Sequence, residues 1–263
     1  MQTLTTHIAE AAREAGAFIL QERKAFTRDA IEYKGTNNLV SYVDKTAEEM
    51  IVARLAKLLP EARFITEEDT TRTVPDESAL NWIIDPLDGT SNFIHGLPVF
   101  SVSIGLAEGK TPLAGVVYDI NRDECFAAWK GGGAFCNDVP IHVSPATSLS
   151  ESLLSTGFPY YKFDQMAQYL KILETLMQGT HGLRRMGSAA IDLANVACGR
   201  FEAFYEFNLN SWDMAAGVLL VQEAGGVVTD FAGGSEFLFR GDVIAGCRPV
   251  QAELLSVIHK YWS

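Results

Sequence analysis

The sequence lacks an excess of positive charge, any closely spaced pair of cysteines and any long apolar run, and each absence closes off a class of function. Lys and Arg number 21 against 33 Asp and Glu, a formal net charge of -12. A general nucleic-acid binder, or a protein held to an anionic membrane, needs a positive face, and this chain has no surplus from which to build one. The same balance suits a protein that gathers cations, or serves solubility alone. The four cysteines, Cys125, Cys136, Cys198 and Cys247, lie far apart with no C-x-x-C spacing. They suggest neither a zinc site nor a disulfide framework and are expected to be reduced, packed side chains. The five histidines, His7, His95, His142, His181 and His259, show no H-x-x-x-H or H-E-x-x-H spacing. The segment Met1 to His7 has no basic region followed by an apolar block, so no signal peptide is visible. Apolar stretches such as Val99 to Ala107 are broken by Ser or Gly and are too short to span a bilayer. A cytoplasmic protein without a membrane segment is the expectation. Gly131-Gly132-Gly133 lacks the G-x-x-x-x-G-K-[ST] pattern and reads as a hairpin turn, not a nucleotide loop.

What is present is globular. With 263 residues, 48% of them hydrophobic, the chain can fill one large domain or two smaller ones sharing an interface. Leu4, Ile8, Ala11, Ala12, Ala15, Phe18 and Ile19 recur at helical spacing and predict an amphipathic helix over the first two dozen residues. A second helix starts near Asp44, buries Ala47, Met50, Ile51, Leu55, Leu58 and Leu59, and stops at Pro60. Strands are expected at Arg63 to Ile65, Leu80 to Ile84, Val99 to Leu106, Leu113 to Tyr118 and Glu124 to Trp129. Helices are expected at 164–178, 188–198, 212–224 and 250–261, with strands near Ala203 to Tyr205, Gly226 to Thr229 and Asp242 to Ala245. These elements predict an α+β fold of helix, sheet, helix, sheet and helix in layers. Two halves, 1–145 and 146–263, are expected to share one rigid interface, with no repeat and no flexible linker between them.

The chemistry concentrates in Trp82-Ile83-Ile84-Asp85-Pro86-Leu87-Asp88-Gly89-Thr90-Ser91-Asn92-Phe93. An apolar strand runs into a carboxylate, and Pro86 holds Asp85 extended. Gly89 permits a tight bend, so Asp88 and the Leu87 carbonyl can turn toward the same point as Asp85. Thr90, Ser91 and Asn92 can then open a short helix whose free N–H groups offer an anion site. Oxygen ligands beside an anion-binding turn are what magnesium needs to hold a phosphate ester. Taken alone, the segment is equally a solvated turn, the Glu67-Glu68 pair a surface feature, and Asp213 an acid favoured by a helix dipole. Each of these acids nevertheless sits at a junction of strand, loop and helix, where active-site residues tend to lie.

In these segments the chain closely resembles the inositol monophosphatase family, within the wider lithium-sensitive, magnesium-dependent phosphatases. The resemblance runs through Leu39-Val40-Ser41 to Asp44, Phe64 to Glu68, the segment Trp82 to Phe93, Arg185-Met186-Gly187-Ser188-Ala189-Ala190, and Trp212-Asp213-Met214-Ala215-Ala216-Gly217 on to Gly226. It implies two or three magnesium ions held by Glu67, Asp85, Asp88, Asp213 and the carbonyl of Leu87. It implies Asp44 and Thr90 as the pair that orients and deprotonates an attacking water, with Glu67 in the catalytic set. The N–H groups of Gly89 and Thr90 would hold phosphate oxygens, while Ser188, Ala189, Glu206 and Asp213 would line a substrate pocket. Lys34 resembles a mobile basic loop, although a lysine in a polar loop is as readily just solvated. Arg184-Arg185 would lie near a subunit contact and the pocket rim, and a homodimer is implied. The aromatic cluster Phe158-Pro159-Tyr160-Tyr161-Phe163 reads as a packed loop or a dimer surface. The substrate implied is a small monophosphate, inositol monophosphate first; broader sugar-phosphate, histidinol-phosphate or nucleotide phosphatases remain open, as does a regulatory protein-binding role.

Overall fold

The computed structural model describes residues 1–26, 31–35, 38–71 and 76–262, with the backbone alone for 31–35 and 38–40. The helical periodicity of the N-terminus folds as α1 (Gln2–Ala25), which buries Ile8, Ala12, Ala15 and Ile19 on one face. A hairpin of β1 (Ile31–Gly35) and β2 (Asn38–Ser41) leads into α2 (Tyr42–Leu58). There follow β3 (Arg63–Thr66), β4 (Leu80–Asp88), the short α3 (Thr90–His95), β5 (Ser101–Glu108), β6 (Thr111–Asp119), β7 (Glu124–Trp129), β8 (Gly133–Cys136) and β9 (Val139–Ile141). The strands β3 to β9 form a seven-stranded sheet in chain order. Within it β3 and β4 are parallel, and the other neighbours are antiparallel.

The second stretch comprises β10 (Leu153–Thr156), α4 (Met166–Gly179), β11 (Gly182–Arg184), α5 (Ala189–Ala197), β12 (Ala203–Phe207), α6 (Ser211–Glu223), β13 (Val227–Thr229), α7 (Phe237–Arg240), β14 (Asp242–Gly246) and α8 (Arg248–Tyr261). Its five strands are ordered β11-β10-β12-β14-β13. Three apolar cores separate five layers. The outer helices α1 and α2 cover Trp82, Ile84, Val102 and Ile104 of the large sheet. The inner pair α5 and α6 packs between the opposite face of that sheet, at Ile83 and Val117, and Phe204, Val243 and Ala245 of the small sheet. Beyond it, α4 and α8 close the far side over Leu154, Tyr205 and Ile244.

This layering explains why β4 reads as an unbroken apolar run. Trp82 and Ile84 face the outer helices, and Ile83 faces the inner pair, so both faces are buried. The elements β8, β9, β11 and α7 are additions to those expected from periodicity. Each is only three or four residues long, too short for a period to register. Gly131 to Gly133 form the β7–β8 hairpin turn, with the N–H groups of Gly131 and Gly133 donating to Glu223. All four cysteines are free. Among the described residues, no helix is long and apolar enough to cross a membrane.

Candidate active site

Strand register brings the first two acids together. In the parallel pair, Ile65 lies beside Ile83 and Thr66 beside Ile84, so the next residue along each strand is Glu67 and Asp85. The Glu67 N–H continues the ladder by donating to the Ile84 carbonyl at 3.2 Å. Alternation points Asp85 to the same face as Ile83, toward α6. Its Oδ1 accepts the Leu87 N–H at 2.9 Å, and its carboxyl group shares a hydrogen bond with Glu67. Burial and neighbouring acids together push both well above the usual carboxylate range, with Asp213 acting on each.

Beyond Asp85 the ladder slips by a bulge before Asp88 pairs with Ser101. This turns Asp88 onto the N-terminus of α5. Its Oδ2 accepts from Ser188 Oγ at 2.6 Å and from the Ala190 N–H at 2.7 Å. Burial raises its pKa to about 6 against those donors and the Arg185 guanidinium. Gly89 follows at φ 103°, where a Cβ would stand 2.8 Å from the Val99 carbonyl. Glycine is therefore required for the bend. Thr90 opens α3, and its hydroxyl lies 3.0 Å from both Asp44 Oδ1 and the Leu87 carbonyl. Asp44, 1% exposed, accepts with its other oxygen from the Ser41 N–H and hydroxyl, in a capping box at the start of α2. Asp213 caps α6 in the same manner, accepting the Asn210 N–H at 2.6 Å. Burial and the Asp88 charge raise its pKa to about 7.

Asp44, Asp85, Asp88 and Asp213 therefore each secure an oxygen on the protein. Asp44 and Thr90, Glu67 and Asp85, and Asp88 and Ser188 are in hydrogen-bond contact. Asp88, Ser188, Ala189, Glu206 and Asp213 line one cavity of about 110 Å³, together with Thr156, Arg185 and Asp192. The Ser188 hydroxyl, expected to face a substrate, is spent on Asp88 and on capping α5 at Ile191. The Ala189 N–H leans on Asp88 as well. His95 is exposed at the end of α3, and the side chain of Lys34 lies outside the described residues.

Two acids escaped the sequence reading. Glu48 of α2 is fully buried and accepts from the Glu68 N–H, the Thr70 N–H and the Thr70 hydroxyl at 2.7–2.8 Å. It clamps the loop that carries Glu67. Asp192, in α5, lines the same cavity as Glu206. Nothing in a helical repeat tells a polar residue facing water from one facing a loop or a cavity.

Among the described residues, no three acidic side chains already stand in ion-holding geometry, because their hydrogen bonds run to one another and to the backbone. The donor set is nonetheless one for a hard cation: oxygens only, from four acids that converge where burial disfavours their charge. A larger cleft of about 280 Å³ lies between α1 and β7–β8, but its Arg13 is already held by Asp123 and Asn137.

Comparisons with known proteins identify the family. The profile of the inositol monophosphatase family matches residues 1–263. An inositol-1-monophosphatase of Mesorhizobium japonicum is 39% identical, over 96% of this chain and 95% of its own. The Nus factor SuhB of Pseudomonas aeruginosa is 43% identical, over 99% of this chain and 97% of its own. The crystal structure of the extragenic suppressor protein suhB from Bartonella henselae superposes with a TM-score of 0.89 at 38% identity, covering 98% of this chain and 99% of that one. By the profile, the relatives and the fold alike, the chain belongs to the inositol monophosphatase family.

Proposed function

We propose that this chain hydrolyses a small, hydroxyl-rich phosphate monoester with the help of magnesium, inositol monophosphate being its best substrate. Family membership supports a phosphatase; the substrate and the metal are the further step. The observation that carries the reading is the meeting of Glu67, Asp85, Asp88 and Asp213, from three separate segments, beside a cavity that Asp88, Asp213 and Glu206 line. Glu67, Asp85, Asp88, Asp213 and the Leu87 carbonyl would hold two or three magnesium ions. When bound, these would neutralise phosphoryl charge and lower the pKa of a nearby water.

The remaining work falls to the chain itself. The Thr90 hydroxyl has one proton to give, to Asp44 or to the Leu87 carbonyl, and in giving it turns a lone pair outward to orient a water. Asp44 and Glu67 are placed to take that water's proton. The N–H groups of Gly89 and Thr90 face the phosphate, and Glu206 accepts from a hydroxyl of the substrate. Attack by water in line with the leaving oxygen needs no nucleophilic side chain.

The exposed apolar side chains Tyr160, Tyr161, Leu170 and Met177 suit a subunit contact in a homodimer, which sedimentation would test. A protein-binding role, suggested by the Nus factor name of the Pseudomonas aeruginosa relative, is the second reading. The deciding experiment is phosphate release from a panel of monophosphates and bisphosphates, with magnesium and with a chelator. Magnesium-dependent release led by inositol 1-phosphate is expected. A different leading substrate would keep the mechanism and move the specificity, and no release from any substrate would shift the case to protein binding.

A further inference from the structure

The cavity beyond the phosphate end holds a second carboxyl group that the mechanism leaves unused. Asp192 stands in the first part of α5, 2% exposed, and lines the cavity with Glu206, Thr156 and Arg185. Among the described residues no donor stands in hydrogen-bond geometry with its Oδ1; the Ser155 hydroxyl on β10, which has no other partner, is the one side-chain hydroxyl near enough to bear on it. One loosely placed hydroxyl leaves this acid short of the donors that a buried carboxyl group kept only for structure would hold, because an unmet buried acceptor is costly. Glu206 reaches the same space from β12. Its carboxylate fits there because residue 157 is glycine: a Cβ at Gly157 would stand 2.1 Å from Glu206 Oε2. Arg185 is held between the rings of Phe158 and Tyr160, at 5.7 and 4.9 Å from their centroids. Its charge bears on Asp192 and Glu206 alike.

We infer that Asp192 and Glu206 form a two-point reader for a cyclic polyol, each taking a hydrogen bond with a different ring hydroxyl of the substrate, so that Asp192 is a specificity-determining residue. This rests on the phosphomonoesterase reading above. Burial raises the pKa of both groups, and either protonation state of a carboxyl group can bond a hydroxyl, which is both donor and acceptor. Two acids facing one guanidinium disfavour a second phosphate at that end of the substrate. A linear or singly hydroxylated alcohol meets one acid and leaves the other unmet.

The test uses the intact protein with inositol 1-phosphate and its series of monodeoxy analogues, each lacking one ring hydroxyl. In the wild-type chain, removal of either of two hydroxyls is expected to lower kcat/KM by about tenfold or more. In Asp192→Asn one of those two penalties shrinks, and in Glu206→Gln the other does. A single sensitive hydroxyl in the wild-type series would overturn the inference, and that result depends on no variant's folding. Penalties that persist unchanged in Asp192→Asn would also overturn it. No hydrolysis of any inositol phosphate by the wild-type chain would instead bring down the underlying reading, and this inference with it.

Discussion

The two ends of the cavity are both acidic, yet they manage their charge differently. At the end proposed for phosphate, burial and neighbouring acids act on Glu67 and Asp85, and burial and Asp88 act on Asp213. At the end proposed for the substrate's hydroxyls, Asp192 and Glu206 have the Arg185 guanidinium among their neighbours, as does Asp88 where the two ends meet. On the proposed reading, Glu67, Asp85 and Asp213 await a cation from outside, while the other end carries its own. That difference separates catalysis from recognition, and substitutions should separate them too.

The largest effect is expected at Asp88, which serves the phosphate end and caps α5. Asp88→Asn should lower phosphate release by about a thousandfold, since cation-held charge stabilisation is worth several kcal/mol. It should also weaken magnesium binding in calorimetry. Near-normal turnover would erase the distinction between the two ends. Next comes Glu48→Gln, which weakens the clamp on the Glu67 loop; hydrogen bonds to a charged acceptor are worth about 1.5–3 kcal/mol. Turnover should fall by about tenfold and the magnesium concentration for half-activity should rise, while the ranking of substrates stays as it was. Glu206→Gln should do the reverse, changing the ranking by about tenfold and leaving the magnesium requirement alone.

The substrate end also predicts a pH signature. The Glu206 carboxyl is raised to about 8 in the fold, and Asp192 is raised as well, so the native state holds protons that the unfolded chain has released. Stability should accordingly fall as pH rises from about 5 to about 8, read as a declining melting temperature in magnesium-free buffer. Glu206→Gln should lessen that decline without abolishing it, since Glu67, Asp85, Asp88 and Asp213 are raised in the fold too. The smallest effect belongs outside both ends: Arg54→Ala removes exposed pairs with Glu10 and Glu14. It should cost under about 1 kcal/mol in a denaturant melt and nothing in turnover.

Much of this was legible in the sequence because it is written in long elements and tight junctions. The β4 run into Asp85-Pro86-Leu87-Asp88-Gly89-Thr90 predicts a strand, a bend and a short helix, and all three are found. The pairing of Asp44 with Thr90, which the resemblance implies, is present as a hydrogen bond of 3.0 Å. Glu48 was invisible because its helix also carries Glu49, and periodicity does not tell which acid faces a loop twenty residues away. Asp192 was hidden because every residue of α5 is buried, so the helix offers no polar face against which an inward acid stands out. Ser188 shows the converse: its position was legible, but its hydroxyl serves Asp88.

The stitching of the site has a consequence for how the protein comes into being. Asn92 donates to the Met186 carbonyl across 94 residues, Asp88 accepts from Ala190 across 102, and Ser103 donates to the Trp212 carbonyl across 109. Contacts of such long sequence separation form slowly, because the loop they close must first lose its entropy. During synthesis the seven-stranded sheet can emerge whole while the helices that complete the site are still unmade. On refolding, circular dichroism should therefore recover well before catalysis, the active centre being the last part of the molecule to exist.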